Sequence, residues 1–262
     1  MEIEILKKDE IELKFLVKGI SVPLVNALRR IFISEMPSIA VDYLKFYKNN
    51  SPVFDEIIAH RVGLIPLNNA SEIYITPEEC GCKEGCEKCS VTLSLEKIGP
   101  CIVYSKDLVS GDPDIYPIFG DIPLTKLGEG QELKFDAVAR LGTAEDHAKW
   151  QVSNAGYKYV PKIDFDLDKC DLCDECVLKC PKNILYKEKN QIKVKNIYEC
   201  TMCRACEEAC EQEAIKISYE TDAFIFFVES YLNMNVNDLV SKALDLMSKK
   251  LEDLNNLIKT DI

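Results

Sequence analysis

The sequence predicts an α+β fold, and three observations carry that reading. Strand-type alternation of apolar and polar residues dominates the stretch from about 46 to 163. Helical apolar stripes are confined to a short segment near the front and a long one near the end. Between them lies a run of cysteines that repeats at an offset of thirty residues.

Taken in order, Glu10–Val17 alternates cleanly, with Ile11, Leu13, Phe15 and Val17 on one face and Glu10, Glu12 and Lys14 on the other, which predicts a half-buried strand. Ser21 suits an N-cap and Pro23 a first turn; Leu24, Val25, Leu28, Ile31 and Phe32 then form one stripe, closed by Met36-Pro37. Asn49-Asn50-Ser51-Pro52 predicts a turn. Val91, Leu93 and Leu95 alternate, as do Leu133, Phe135 and Ala137, with Gly111-Asp112-Pro113 and Gly128-Glu129-Gly130 as punctuation. Phe224–Val228 predicts a buried strand, and Val236–Lys259 a helix. Along that helix Val240, Leu244, Met247, Leu251, Leu254 and Ile258 recur at alternating steps of four and three, a narrow seam suited to lengthwise packing on another helix.

Composition narrows the function. The 262 residues, 47% hydrophobic and 29% charged, describe an ordinary globular chain and exclude wholesale disorder. The charges, 32 Lys+Arg against 44 Asp+Glu, sum to −12, a field that opposes a direct grip on nucleic acid. Charged residues throughout the first seventeen positions exclude a secretory leader, and the apolar run Ala223–Val228 is far too short for a bilayer. The expectation is a soluble, cytoplasmic protein without a membrane partner. Thirteen cysteines against two histidines then point to metal ligands rather than disulfides. No phosphate-cradling glycine loop is present, and His60 and His147 offer little for nucleophilic catalysis, so no catalytic residue is assigned. His147 reads as a structural hydrogen-bonding residue, and Cys101 as a buried small apolar one.

Cys170, Cys173, Cys176 and Cys180 follow C-x2-C-x2-C-x3-C with Pro181 behind; Cys200, Cys203, Cys206 and Cys210 repeat the spacing, with Glu211 in place of the proline. This is the two-cluster bacterial ferredoxin pattern, in which the fourth thiolate of each run reaches the other cluster. The predicted sets are Cys170, Cys173, Cys176 and Cys210 for one [4Fe-4S] cluster, and Cys200, Cys203, Cys206 and Cys180 for the second, with [3Fe-4S] as the alternative state of one. Cys80, Cys82, Cys86 and Cys89, interleaved with Gly81 and Gly85, can close a tetrahedral site, for which a structural zinc is the expected ion.

Asn26-Ala27-Leu28-Arg29-Arg30, running on through Ser34–Val41, resembles a signature segment of the alpha-like subunits of multisubunit RNA polymerases, and so does His60–Leu67. Gly142–Trp150 resembles the archaeal and eukaryotic branch. Together with a ferredoxin-like insert, the whole chain is similar to the archaeal family of alpha-like polymerase subunits, counterparts of the eukaryotic third-largest subunit and the bacterial alpha N-terminal domain. The resemblance implies an alpha-like dimerisation domain built from 1–45 and 220–262. It also implies a β-rich insert domain over 46–163 that carries the zinc loop, and a ferredoxin-like domain over 164–219. It further implies a non-catalytic subunit that pairs with the small subunit L and, with subunits N and P, forms the platform on which the large catalytic subunits assemble. The Fe-S domain would be structural or regulatory in that assembly. Asn26, Arg29 and Arg30 become contact residues beside the helical seam. The competing function is a ferredoxin-type electron-transfer subunit of an oxidoreductase, which leaves the alpha-like segments without a role.

Overall fold

The computed structural model describes residues 1–68, 73–82, 85–231 and 233–260. Small parts of the expected segments 46–163 and 220–262 (69–72, 83–84, 232 and 261–262) lie outside the described residues. The chain forms two compact units. One comprises Met1–Lys8, Leu13–Asn26 and Gly156–Phe227; the other comprises Asp9–Glu12, Ala27–Ala155 and Val228–Ile262.

The first unit is built on a four-stranded sheet. β1 (Glu2–Lys8) and β2 (Glu12–Lys18) form an antiparallel hairpin, and the spatial order continues through β12 (Ile215–Ser230) to β9 (Ser153–Phe165). The alternation in β2 holds, but its consequence differs from expectation. Both faces of the strand are covered. Phe15 stacks on Phe226 on one side, while Leu16 on the other joins Val160, Ala223 and Ile225 in a buried cluster. Ile11 lies before the strand and is exposed. The cysteine repeat packs as a separate small core around Ile184, Leu185, Ile192, Ile215 and Ile217, with the hairpin β10 (Leu185–Glu188) and β11 (Gln191–Val194) between its halves.

The second unit centres on an antiparallel sheet in the order β3-β8-β4-β6, with β3 Ser38–Asn49, β4 Ser90–Ile98, β6 Val109–Ser110 and β8 Glu132–Gly142. β5 (Cys101–Tyr104) pairs with β7 (Pro123–Leu127). Val91, Leu93, Leu95, Leu133, Phe135 and Ala137 all face the same buried core, as their period-two spacing requires. Asn49 closes the predicted turn, its side-chain oxygen accepting from the Ser51 amide at 3.0 Å. Cys101 is half-buried against this core rather than fully inside it. His147 is structural: its Nδ1 accepts the Lys149 amide at 3.0 Å and caps the short turn that carries Trp150.

The front helix departs from the regular form expected. α1 spans Val22–Arg30, and Ile31–Glu35 continues it as a π-helical turn before Met36. The wider turn lets Ile31, Phe32 and Met36 all be buried, whereas Leu24, predicted for the apolar stripe, is exposed. Ser153 Oγ donates to the Phe32 carbonyl at 2.7 Å, and Ser38 Oγ to the Trp150 carbonyl at 2.7 Å. A Cβ at Gly142 would stand 2.5 Å from the ring of Trp150, a side chain only 8% exposed. Gly142→Ala is therefore expected to destabilise by roughly 1–3 kcal/mol, read as a lowered Tm; an unchanged Tm contradicts this packing.

Candidate metal centres and assembly surface

The first candidate centre runs from the end of a short helix to the start of β4 in the second unit. Thr76 caps α3 (Pro77–Cys80), its side chain accepting from the Glu79 amide at 3.3 Å, and Gly81 ends the helix at φ 67°. Gly85 adopts φ 91°, and a Cβ there would meet Ser90 Oγ at 2.7 Å, so both glycines are needed to return the chain to Cys86. The four thiols converge. All their sulfurs lie within 4.8 Å of one another. Three of the separations are 3.5 Å (Cys80–Cys86), 3.1 Å (Cys82–Cys89) and 3.8 Å (Cys86–Cys89). A tetrahedron with metal–sulfur bonds of about 2.3 Å has edges of about 3.8 Å, so this donor set fits one zinc ion. The crowding shows in the thiols themselves. Hydrogen bonding with Cys89 pushes Cys82 up to about 12, while the Lys88 backbone amide draws Cys86 down to about 7.

The second and third candidate centres are the two halves of the cysteine repeat. The repeat is conformational as well as compositional. Leu172, Asp174 and Asn183 have φ of 63°, 66° and 51°; Met202, Arg204 and Glu213, each thirty residues on, have 54°, 60° and 50°. The short helices α4 (Glu175–Lys179) and α5 (Ala205–Glu208) follow in register, and the amides of Asn183 and Glu213 each bond the carbonyl of the fourth cysteine at 3.0 Å. Left-handed backbone at non-glycine residues costs energy; here it wraps each loop so that backbone amides turn towards sulfur. Met202 N–H donates to Cys200 Sγ at 3.4 Å and Ala214 N–H to Cys210 Sγ at 3.3 Å.

The fourth cysteines cross over. Cys180, Cys200, Cys203 and Cys206 line one cavity, floored by Ile163, Ile184 and Ile217. Cys210 lies near Cys173 and Cys176 of the opposite run. Burial raises the Cys176 thiol, reinforced by Cys170, Cys173 and Cys210, and burial pushes Cys206 up to about 11. Thiolates so crowded repel one another, and a cationic iron–sulfur core is the partner that favours their charged forms. The donor type, the two sets of four and the amide-to-sulfur bonds fit a pair of clusters.

The long helix α6 (Val236–Thr260) behaves differently along its length. Val236, Leu239 and Ala243 are buried, anchoring its first two turns, and Lys250 ion-pairs with Glu35 of the π-helical turn. Val240 and Met247 are half-buried; Leu244, Leu251, Leu254 and Ile258 are 47–56% exposed. From 248 to 259, a length of about 18 Å, every residue is exposed and the apolar seam is uncovered in this chain. On α1, Arg30 is exposed while Asn26 and Arg29 are half-buried.

Residues 44–161 match the family model described as the RNA polymerase Rpb3/RpoA insert domain, and residues 162–211 match the 4Fe-4S dicluster domain. Among curated proteins, the DNA-directed RNA polymerase subunit Rpo3 of Methanothermobacter thermautotrophicus is 43% identical over 97% of both chains. Those of Methanosphaera stadtmanae and Archaeoglobus fulgidus are 38% and 40% identical, over 100% and 98% of both chains. The chain belongs to the Rpo3 family of RNA polymerase subunits. As an Rpo3-family protein it is a non-catalytic assembly subunit within a nucleotidyltransferase complex. Its dicluster domain makes iron–sulfur binding part of its chemistry. No described helix is long and apolar enough to cross a membrane.

Within this Rpo3-family chain the signature segments fall at structural junctions. Asn26–Arg30 ends α1, His60–Leu67 runs from α2 (Asp55–Gly63) to a bridge between Leu67 and Pro117, and Gly142–Trp150 links β8 to β9. Arg61 Nη1 donates to the Leu124 carbonyl at 2.7 Å, so this arginine holds β7. Residues that sequence reasoning missed include Lys158, whose Nζ donates to the carbonyls of Tyr198 at 2.6 Å and Cys200 at 2.8 Å. Lys187 similarly donates to the Leu172 carbonyl at 2.8 Å. A lysine in a strand carries no local signal of a partner forty residues away.

Proposed function

We propose that this chain pairs one-to-one with the small alpha-like subunit L through the α6 seam. With subunits N and P the pair forms the platform on which the two large catalytic subunits assemble. The carrying observation is the exposed apolar stripe Leu244, Leu251, Leu254 and Ile258 on a helix whose fully buried residues, Val236, Leu239 and Ala243, all lie in its first turns. Asn26, Arg29 and Arg30 are assigned to the assembly interface, Arg29 and Arg30 to contact with a large subunit, guanidinium groups suiting forked bonds to carboxylates or carbonyls. The domain division proposed is 1–45 with 220–262 for pairing, 46–163 for the insert and 164–219 for the clusters. Its place of work is the cytoplasm.

The metal assignment completes the reading. Cys170, Cys173, Cys176 and Cys210 hold one [4Fe-4S] cluster, and Cys200, Cys203, Cys206 and Cys180 the other; Cys80, Cys82, Cys86 and Cys89 hold a structural zinc. When bound, the clusters and the ion supply cross-links between loops that have few apolar side chains of their own. Protein prepared anaerobically is expected to contain about eight irons per chain and one zinc. Cys82→Ser combined with Cys86→Ser should remove the zinc and leave the iron, measured by elemental analysis; retained zinc places the ion elsewhere.

The isolated chain is expected neither to synthesise RNA nor to retain duplex DNA at moderate salt, since its net charge of −12 opposes phosphate contacts. Gel-shift titration checks this, and tight binding by the pure protein contradicts it.

A further inference from the structure

The two cluster sites share a backbone design but not a tether. The turn Ile197–Glu199, which delivers Cys200, is fastened to the sheet at three points. Lys158, from β9, spans the turn by donating to the Tyr198 and Cys200 carbonyls at 2.6 and 2.8 Å. Lys14, from β2, pairs with Glu199 at 3.5 Å. Tyr198 packs on the buried cluster of Leu16, Val160, Ala223 and Ile225. Cys180, Cys200 and Cys206 are at most 9% exposed, and of this set Cys203 alone is exposed.

Among the described residues, the other set has no lysine tether from the sheet. None of Cys170, Cys173, Cys176 and Cys210 is fully buried. Its loop is held by Lys187, which bonds the Leu172 carbonyl at 2.8 Å and Asp174 at 3.0 Å, but Lys187 stands on the two-stranded hairpin and both side chains of that ion pair are more than a third exposed. Thirty residues after Lys187 the chain has Ile217, and thirty after Asp174 it has Arg204, so the second half does not repeat this tether.

We infer that Lys158, assisted by Lys14, is a positioning residue that ties the Cys180–Cys200–Cys203–Cys206 site to the sheet, making its cluster the slowly exchanging one, while the cluster at Cys170, Cys173, Cys176 and Cys210 is the labile, exchangeable one. The inference rests on the cluster assignment made above. Releasing iron requires each thiolate to swing away from the metal. At Cys200 that motion breaks two charge-assisted hydrogen bonds and lifts Tyr198 off a packed surface; at Cys173 it meets solvent, and at the half-buried Cys170 no lysine from the sheet resists it. Loss of the labile cluster would thus leave the sheet intact, and loss of the tethered cluster would disturb β2 and β9 directly.

The test follows iron release from the full-length chain, purified anaerobically with its clusters, into the ferrous chelator bathophenanthroline. Two phases of equal amplitude are expected; Cys176→Ser should delete the fast one and Cys206→Ser the slow one. Lys158→Met should speed the slow phase about tenfold and spare the fast phase, with Lys158→Arg restoring most of the delay. Lys187→Met should speed only the fast phase. Lys14→Gln, a milder change, provides the same reading with a smaller acceleration if Lys158→Met fails to fold. A single rate for all the iron, a slow phase unchanged in both Lys158→Met and Lys14→Gln, or phases assigned the other way round overturns the inference. Wild-type protein that carries no iron overturns the cluster assignment instead.

Discussion

Leu244→Asp combined with Leu251→Asp is expected to abolish copurification with the small alpha-like partner while leaving this chain folded. The reason lies in how α6 divides its apolar residues. Val236, Leu239 and Ala243 secure the helix root, and neither substituted leucine belongs to that set. Leu244 and Leu251 are 47% and 56% exposed, so an aspartate at either position costs the isolated chain little. In the pair, the seam contributes on the order of 1.5–3 kcal/mol per large aliphatic side chain buried, set against several kcal/mol of association entropy. Two unpaired carboxylates inside it cost several kcal/mol more, enough to reverse the balance. The wild-type chain expressed alone should accordingly self-associate, and the double variant should run as a monomer. Coexpression with a tagged partner reads both; wild-type yield from the variant shows that the seam faces elsewhere.

Replacing all eight repeat cysteines by serine is expected to unfold the segment between Asp166 and Ala214 and to spare the pairing surface. Three of the eight fully buried members of that small core are themselves cysteines, and its remaining apolar side chains are few. Seven non-glycine residues there hold left-handed backbone, six of them in the cysteine loops, at roughly 1 kcal/mol or more each, which in those loops closure around metal offsets. The insert core around Leu93, Leu127, Leu133 and Phe135 draws on none of these residues. Limited proteolysis should therefore cut the octa-serine chain within the repeat and leave the Ile31–Gly142 region protected, with the partner still bound. The later step, docking of the large subunits, should weaken at least tenfold. Equal assembly yields with and without clusters would make the domain a passenger.

Whatever is set by spacing along the chain was legible in the sequence. Ligand spacing is local, so the eight-cysteine repeat is readable without the cavity around Cys180 and Cys206. Strand alternation places Leu93 and Phe135 in one core, and the four-three spacing marks Leu244, Leu251 and Ile258 as a stripe apart from Leu239 and Ala243. The misreadings arise where another segment decides the outcome. Leu24 has the right spacing for the buried face but ends outside it, because the π-helical turn redirects burial to Ile31, Phe32 and Met36. The pattern of β2 predicts one face in water, yet the polar-looking face carries Leu16 into a core and Lys14 onto Glu199. Lys158 gives no sign at all, since its meaning depends on the carbonyls of a turn forty residues downstream.

The most direct measurement is the intact mass, by native mass spectrometry, of the tagged chain isolated anaerobically with its small partner. The expected species is a one-to-one heterodimer whose excess over the two polypeptides equals two iron–sulfur clusters and one zinc ion. Leu244→Asp with Leu251→Asp is expected to yield the tagged chain alone, with the same metal mass. A homodimer of this chain, or a double variant still paired with its partner, would show that α6 is not the pairing surface.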